Sequence, residues 1–429
     1  MTPLFARRKV LFVTLLVALL AGSMFLLTRQ TGAGVSETPF TDLRTVLDVI
    51  ALVKTEYVDP TSASDLLRAY VDKGTINGML QSILDDPYTR HLDIAAFKQM
   101  QIDTTGVFAG IGIMVGMQDE KVTVIAPIEN TPGWKQGLKS GDRIVKIDGR
   151  STALMGLDEA VSLMRGKEGT TVTLTVERGK KQPQVLTITI TRAVIQVPSV
   201  PRYQVLAGPQ WPTESPVGYI RLSQFAERTS QELDEALQAM VKAQVKGLIL
   251  DLRSNPGGLL TAAIEVADKF LSQGPIVHIV GRESDDKQTY NASADATDVK
   301  LPLIVLVDEW SASASEIVSG ALQDRGVATL VGQQTFGKGL VQAIIPLRDG
   351  SALSLTSARY QTAGGRFIHK EGIKPDYVVE LTIEPTTKSE DEDEDEENVA
   401  TGPDLKDTQL CKALQILQGQ MLVAAGSAI

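Results

Sequence analysis

Residues 310–342 read WSASASEIVSGALQDRGVATLVGQQTFGKGLVQ, and their reading decides the architecture. They follow LPLIVLV (301–307), a continuous apolar run suited to a parallel strand covered on both faces. Ser315 to Gln323 then reads as a helix and VATLVG (327–332) as another strand. Strand, helix and strand in that order make an α/β unit with a parallel sheet.

Working outward, the same alternation recurs. VGYIRLSQF (217–225) is a strand, SQELDEALQAMVKA (230–243) a helix and KGLILDL (246–252) a second buried strand. SNPGG (254–258) turns into a helix from Leu259 to Leu271. Downstream, LVQAIIPL, SALSLTSARY and YVVEL follow without helices between them, which predicts antiparallel additions to a mostly parallel sheet. The expected core covers residues 193–381.

In open α/β sheets the functional crevice lies at the carboxyl ends of the strands. Two turns fall there: Asn255-Pro256-Gly257-Gly258, and Ser311 to Ser315. Ser313 sits at or beside a helix N-terminus, where unpaired N–H groups favour developing negative charge. The amide of Gly258 or Gly257, with that of Ala314, would supply two preorganised oxyanion donors. A serine hydroxyl also needs a base. The chain has three histidines, His91, His278 and His369, with no pair at metal-ligand spacing, so no metal or other cofactor is expected. Lys338, between Gly337 and Gly339 and 25 residues after Ser313, is the candidate base. Lowering its pKa from ~10.4 to near 7 takes about 4 kcal/mol against the charged form, within the reach of burial. Gly332 to Lys338 also fits a phosphate-loop spacing, G-x-x-x-x-G-K. Gly339 stands where that loop needs a magnesium-ligating Ser or Thr, and a strand pattern follows instead of a helix.

Residues 105–192 differ in texture. GVFAGIGIMVG and VTVIAPI are short apolar strands with glycine punctuation, and TTVTLTVER and VLTITITR alternate with period two. GLDEAVSLMRG is a helix turning Leu157, Ala160, Val161 and Met164 inward. This block resembles a PDZ domain through GIGI (Gly110, Ile111, Gly112, Ile113) and through GLKSGDRIVKIDG. Backbone N–H groups of such a glycine-rich loop form a nest for a chain-terminal carboxylate, and the peptide adds a strand beside it.

The flanks are helical and polar by turns. Residues 38–100 have a helical pattern with Leu43, Val46, Leu47 and Ile50 on one face, ended by LDDPYTRHLD. In the last segment, 405–429, Leu410, Leu414, Leu417 and Met421 share helical spacing, which reads as a docking or self-association helix with core packing as the alternative. Residues 382–404 read as a linker. They contain Glu390 to Glu397, eight consecutive acids that carry most of the net charge of −10. No basic patch points to nucleic acid. Cys411 is the sole cysteine, so no internal disulfide forms. At the start, Arg7-Arg8-Lys9 precede 18 uncharged residues, Val10 to Leu27, within a segment 1–30. That is a membrane anchor or a signal peptide, and either sends the remainder out of the cytoplasm, to a periplasmic or other extracytoplasmic site.

SASASEI, TFGKG-x-VQ, DLR-x-NPGG and GI-x-PD stand in one order from about Thr38 to Leu381. On these motifs the chain resembles the C-terminal processing (tail-specific) peptidases, serine peptidases with a PDZ domain inserted before the catalytic core. The resemblance implies a crotonase-like α/β core and selects Ser313 as nucleophile with Lys338 as base. It adds Gln342, which on a strand would share a face with Lys338 and orient its amine. It further implies an endopeptidase for exported proteins with apolar C-termini, a homo-oligomer and a possible adaptor protein. LDDPYTRHLD departs from the more usual L-D-P-H-S-x-Y-L-D, and TAGG stands for T-P-x-G. Arg165, ending the PDZ helix, is placed to sense an occupied peptide groove. The competing expectation is a PDZ-bearing scaffold without catalysis, or a protease resting until an adaptor engages it.

Overall fold

The computed structural model describes residues 38–179, 183–208, 211, 213–283, 286–294, 299–382 and 407–426. Its first elements are helices α1 (Thr38–Glu56), α2 (Ala63–Lys73) and α3 (Ile76–Ile83), strand β1 (Arg90–Leu92) and helix α4 (Ile94–Thr105). The Asp93 side chain caps α4 by accepting from the Ala96 amide at 2.8 Å. Gly106, at φ +68°, ends the helix in the left-handed conformation that glycine adopts without strain. No helix among the described residues is long and apolar enough to cross a membrane, and Val10 to Leu27 lies outside them.

Strand β2 (Val107–Gly110) pairs antiparallel with β9 (Ala193–Gln196), so the chain enters and leaves the next block side by side. That block holds β3 (Ile113–Gln118), β4 (Lys121–Pro127), the short helix α5 (Pro132–Lys135), β5 (Arg143–Ile147), β6 (Arg150–Ser151), α6 (Leu157–Met164), β7 (Thr171–Arg178) and β8 (Gln184–Thr191). The sheet order is β3-β4-β5-β7-β8 with β6 on β5. Period-two alternation puts Val172, Leu174 and Val176 into a core with Ile144, Ile147 and Ala160. Arg178 grips the buried Asp142 carboxylate through two nitrogens, at 2.6 and 2.7 Å, and so locks the Gly141-Asp142 turn.

The third block contains β10 (Arg202–Leu206), β11 (Val217–Arg221), α7 (Thr229–Lys242), β12 (Gly247–Asp251), α8 (Leu260–Asp268), β13 (Gly274–Val280), β14 (Lys287–Ala292), β15 (Leu303–Val307), α9 (Ala314–Asp324), β16 (Ala328–Gly332), β17 (Leu340–Pro346), β18 (Ala352–Thr362) and β19 (Tyr377–Val378). One sheet runs β10-β11-β12-β15-β16-β19 and is parallel except at β10. Strands β12 and β15 are buried along their whole length, as continuous apolar runs require. Helices α7, α8 and α9 cover one face. The other is covered by α10 (Thr408–Gly426), whose Leu410, Leu414 and Leu417 are fully buried against Tyr219, Ile249 and Ile304. All four residues expected to serve docking or self-association therefore pack on the chain's own core, Met421 partly buried, as in the core-packing alternative. A second, antiparallel sheet places β18 between β17 on one side and β1 and β13 on the other.

Candidate active site

Parallel neighbours β12 and β15 deliver their following turns to the same end of the sheet, where main-chain and side-chain groups stitch them together. The Ala312 amide donates to the Asn255 carbonyl at 3.0 Å, and the Ser254 amide to the Asp308 carboxylate at 2.9 Å. Ser311 and Ser315 are fully buried and their hydroxyls are committed, to the Leu252 carbonyl at 2.8 Å and the Asn255 carbonyl at 2.9 Å. Ser313 between them is half-buried, at φ +55° and ψ −110°, where a residue with a Cβ is strained. Such a conformation costs about 1–3 kcal/mol and persists only where its surroundings over-determine it.

The N–H groups around Ser313 divide clearly. Gly257 donates its amide to Asn255 Oδ1 at 2.9 Å. Among the described residues the amides of Gly258 and Ala314 donate to no protein acceptor. Of the two glycine donors left open by the sequence, Gly257 is thus already engaged, because Asn255 folds its side chain back over the turn. Gly257 acts sterically instead. A Cβ there would lie 2.9 Å from Ser313 Cβ and 2.7 Å from the Ala312 carbonyl oxygen.

Lys338 lies in the loop joining β16 to β17, half-buried, and not at the end of a strand. Burial pushes its ammonium below the usual lysine range and Arg90 adds to this, while Asp86 and Glu316 pull the other way. Its Nζ lies 4.7 Å from the centroid of the Tyr88 ring. Among the described residues no hydrogen bond joins Lys338 Nζ to Ser313 Oγ. The shared strand face expected for Lys338 and Gln342 does not form. Strand β17 begins at Leu340, and a bulge between Val341 and Gln342 shifts the register. The Gln342 amide donates to Thr356 Oγ1 at 3.3 Å, and that hydroxyl in turn donates to Asp86 Oδ2 at 2.6 Å.

Sequence reasoning missed three side chains here. Glu316, fully buried, accepts from the amides of Ser313 at 2.7 Å and Lys338 at 2.9 Å through Oε2. Its Oε1 accepts from the Gly337 amide at 2.8 Å and the Thr335 hydroxyl at 2.6 Å. The spacing Ser-x-x-Glu at a helix start is a capping signature and could have revealed it. Tyr360 on β18 sets its hydroxyl 3.0 Å from the Ser313 carbonyl oxygen and 2.7 Å from that of Lys338. Tyr88 comes from LDDPYTRHLD, and neither tyrosine carries a local signal.

At the second expected site, Gly110 closes β2 and Ile113 opens β3, with Ile111 and Gly112 in the turn. Among the described residues the amides of Ile111 and Gly112 donate to no protein acceptor. Gly112 needs its φ of +74°, and a Cβ would fall 2.3 Å from Thr131 Cβ. A small cleft of about 50 Å³ runs beside this turn between β3 and α6, lined by Ile111, Ile113, Val161 and Met164, with Arg165 and Phe108 at its edge. The Arg165 guanidinium lies 5.0 Å from the Phe108 ring centroid and donates to Gln99 on α4.

A strained serine opening a helix, two unengaged amides beside it and a half-buried lysine on an α/β core are the groups a serine-type peptidase needs. The family model for peptidase family S41 matches residues 216–379, and one for PDZ domains matches residues 123–178. The carboxy-terminal-processing protease of Bartonella bacilliformis is 41% identical over 390 residues, covering 90% of this chain and 85% of that one. The carboxy-terminal processing protease CtpA of Bacillus subtilis is 34% identical, covering 95% and 84% of the two chains. Among solved structures, the photosystem II D1 C-terminal processing protease superposes with a TM-score of 0.52 at 30% identity, covering 81% of this chain and 94% of that one. The chain belongs to peptidase family S41 and is a serine peptidase carrying a PDZ domain, not a catalytically silent scaffold.

Proposed function

We propose that this peptidase captures the C-terminal tail of an exported protein in its PDZ groove and cuts the tail at Ser313. The tail's carboxylate is held by the turn Gly110 to Ile113, and its backbone extends the sheet at β3. Neutral Lys338 takes the Ser313 proton as Oγ attacks the scissile carbonyl carbon. The resulting oxyanion is held by the amides of Gly258 and Ala314. The lysine ammonium then returns the proton to the leaving amine. Water, deprotonated by the same amine, releases the acyl group and Ser313 regains its proton. Gln342 holds the Tyr88 segment beside the base through Thr356 and Asp86, and Arg165 reports groove occupancy to α4 through Gln99.

The observation that carries this reading is the pair of unengaged amides, Gly258 and Ala314, flanking the strained Ser313. The position of Lys338 Nζ over Tyr88 favours a resting state that substrate or an adaptor protein converts by swinging the amine toward Ser313. Val10 to Leu27 would hold the chain at the outer face of the membrane, as anchor or as cleaved signal, and the working form would be a homo-oligomer. The test is degradation of an unstructured polypeptide with an apolar C-terminus by the purified protein. Ser313→Ala and Lys338→Ala should each lose at least about 10³-fold in rate. Equal degradation by all three proteins would refute the dyad.

A further inference from the structure

We propose that Glu316 is a positioning residue that sets nucleophile and base in a single frame through their backbones. One carboxylate oxygen takes the amides of Ser313 and Lys338 together, at 2.7 and 2.9 Å, so the two residues cannot move apart without losing a charge-assisted hydrogen bond. The other oxygen fixes the approach of the loop through Gly337 and Thr335. All four partners are donors. Three are backbone amides, and the Thr335 hydroxyl accepts from the Ile373 amide at 2.7 Å, which directs its own hydrogen toward Glu316. Such a cage matches a carboxylate and mismatches an acid or an amide, either of which adds a hydrogen where only acceptors fit. The Tyr360 hydroxyl lies 3.0 and 2.7 Å from the carbonyl oxygens of the same two residues and, with its one hydrogen, donates to one of them at a time. The bond from the Ser313 amide to Glu316 is made with Ser313 in its φ +55° conformation at the helix start.

Burial raises the Glu316 carboxyl above its ordinary range, with the hydrogen bonds from Thr335, Lys338, Ser313 and Gly337 opposing that. An ionised carboxylate at this depth is therefore unfavourable by itself and is retained for the alignment it gives. Besides Lys338, the charged or titratable groups facing it are Tyr88 and Tyr360. Those facing Lys338 are Arg90, Asp86 and Glu316, with the Tyr88 ring against the amine.

This inference rests on the Ser313–Lys338 reading, and its test separates the two. Glu316→Gln and Thr335→Val are compared with the parent, Ser313→Ala and Lys338→Ala in the full chain, using a fluorogenic peptide with an apolar C-terminus. Glu316→Gln should lower kcat by about 10²-fold with KM within about twofold, the size expected when reacting groups are misplaced by about an ångström. It should also shift the acid limb of the residual activity to lower pH, because a negative charge facing Lys338 is gone; a purely structural loss would leave that limb in place. Thr335→Val, which leaves the carboxylate but removes one donor, should lower kcat by roughly tenfold at similar KM, and it serves if Glu316→Gln does not fold. Loss of activity in Ser313→Ala and Lys338→Ala, with a parent-like kcat or an unmoved limb in folded Glu316→Gln, overturns the role of Glu316 and spares the dyad. Parent-like kcat in Thr335→Val does the same, whereas activity surviving in Ser313→Ala overturns both.

Discussion

The ε-amino group of Lys338 rests 4.7 Å from the centroid of the Tyr88 ring. The face of an aromatic ring favours a cation by about 0.5–2 kcal/mol, so Tyr88 opposes the burial that would neutralise the amine. Tyr88→Leu keeps the apolar cover and removes this support for the charge. The acid limb of kcat/KM should move to lower pH by roughly 0.4–1.5 units. A pH–rate profile of the variant checks this, and an unmoved limb would show that the ring has no hold on the base.

Gly257 lies against Ser313 with φ +101°, and a Cβ there would press on Ser313 Cβ from 2.9 Å. Gly257→Ala should lower kcat on the order of 10²-fold by displacing the nucleophile. Binding of a C-terminal peptide to the PDZ groove should stay unchanged. Steady-state kinetics with fluorescence anisotropy of a labelled peptide separates these effects, and loss of both together would count against the assignment.

Gly112 at φ +74° leaves no room beside Thr131. Gly112→Ala should weaken binding of a peptide with a free carboxyl terminus by at least about tenfold, with amidated peptide as the control. Arg165→Ala should leave that binding nearly intact but abolish stimulation of proteolysis by C-terminal peptides, since its contact with Gln99 leads out of the groove. Unchanged stimulation would remove Arg165 from the account.

A buried ionic cluster ties α10 to the sheet. Arg253 meets Asp251 and Asp407, each at 2.7 Å, and Tyr219 donates to Asp251 at 2.6 Å. Burial opposes ionisation of Asp251, but Arg253 and the hydrogen bonds outweigh it and hold the carboxyl below its ordinary value of 3.8. The stability it contributes is thus complete above about pH 4 and is lost as pH falls through the lower folded value. Thermal melts should show Tm falling below pH 4, and less steeply in Asp251→Asn, which is already destabilised at neutral pH. Leu414→Ala, at a fully buried position of α10, should cost about 2–5 kcal/mol.

How much of this was legible depends on the range of the forces involved. The α/β order, the two turns and the PDZ block were readable because each is written in neighbouring residues: apolar runs, alternation and glycines at turns. Ser313 was readable as the start of a helix after a buried strand. The choice between the Gly257 and Gly258 amides stayed open because the sequence does not show that Asn255 takes the Gly257 amide through its side chain. Gln342 was placed on a shared face with Lys338 because a strand was extended two residues too far and a bulge was not foreseen.

By itself the sequence narrowed the candidates: a strand–turn–helix unit puts residues 311–315 and their amides at one end of the sheet through local hydrogen bonding, and the family resemblance singled out Ser313 and Lys338. Only the tertiary structure decided what surrounds them. Thr356 meets Asp86 across 270 residues of chain, and this long-range closure brings Tyr88 and Arg90 to the amine of Lys338. The field and burial that set a lysine's charge are sums over such distant neighbours, and no local pattern of residues encodes them.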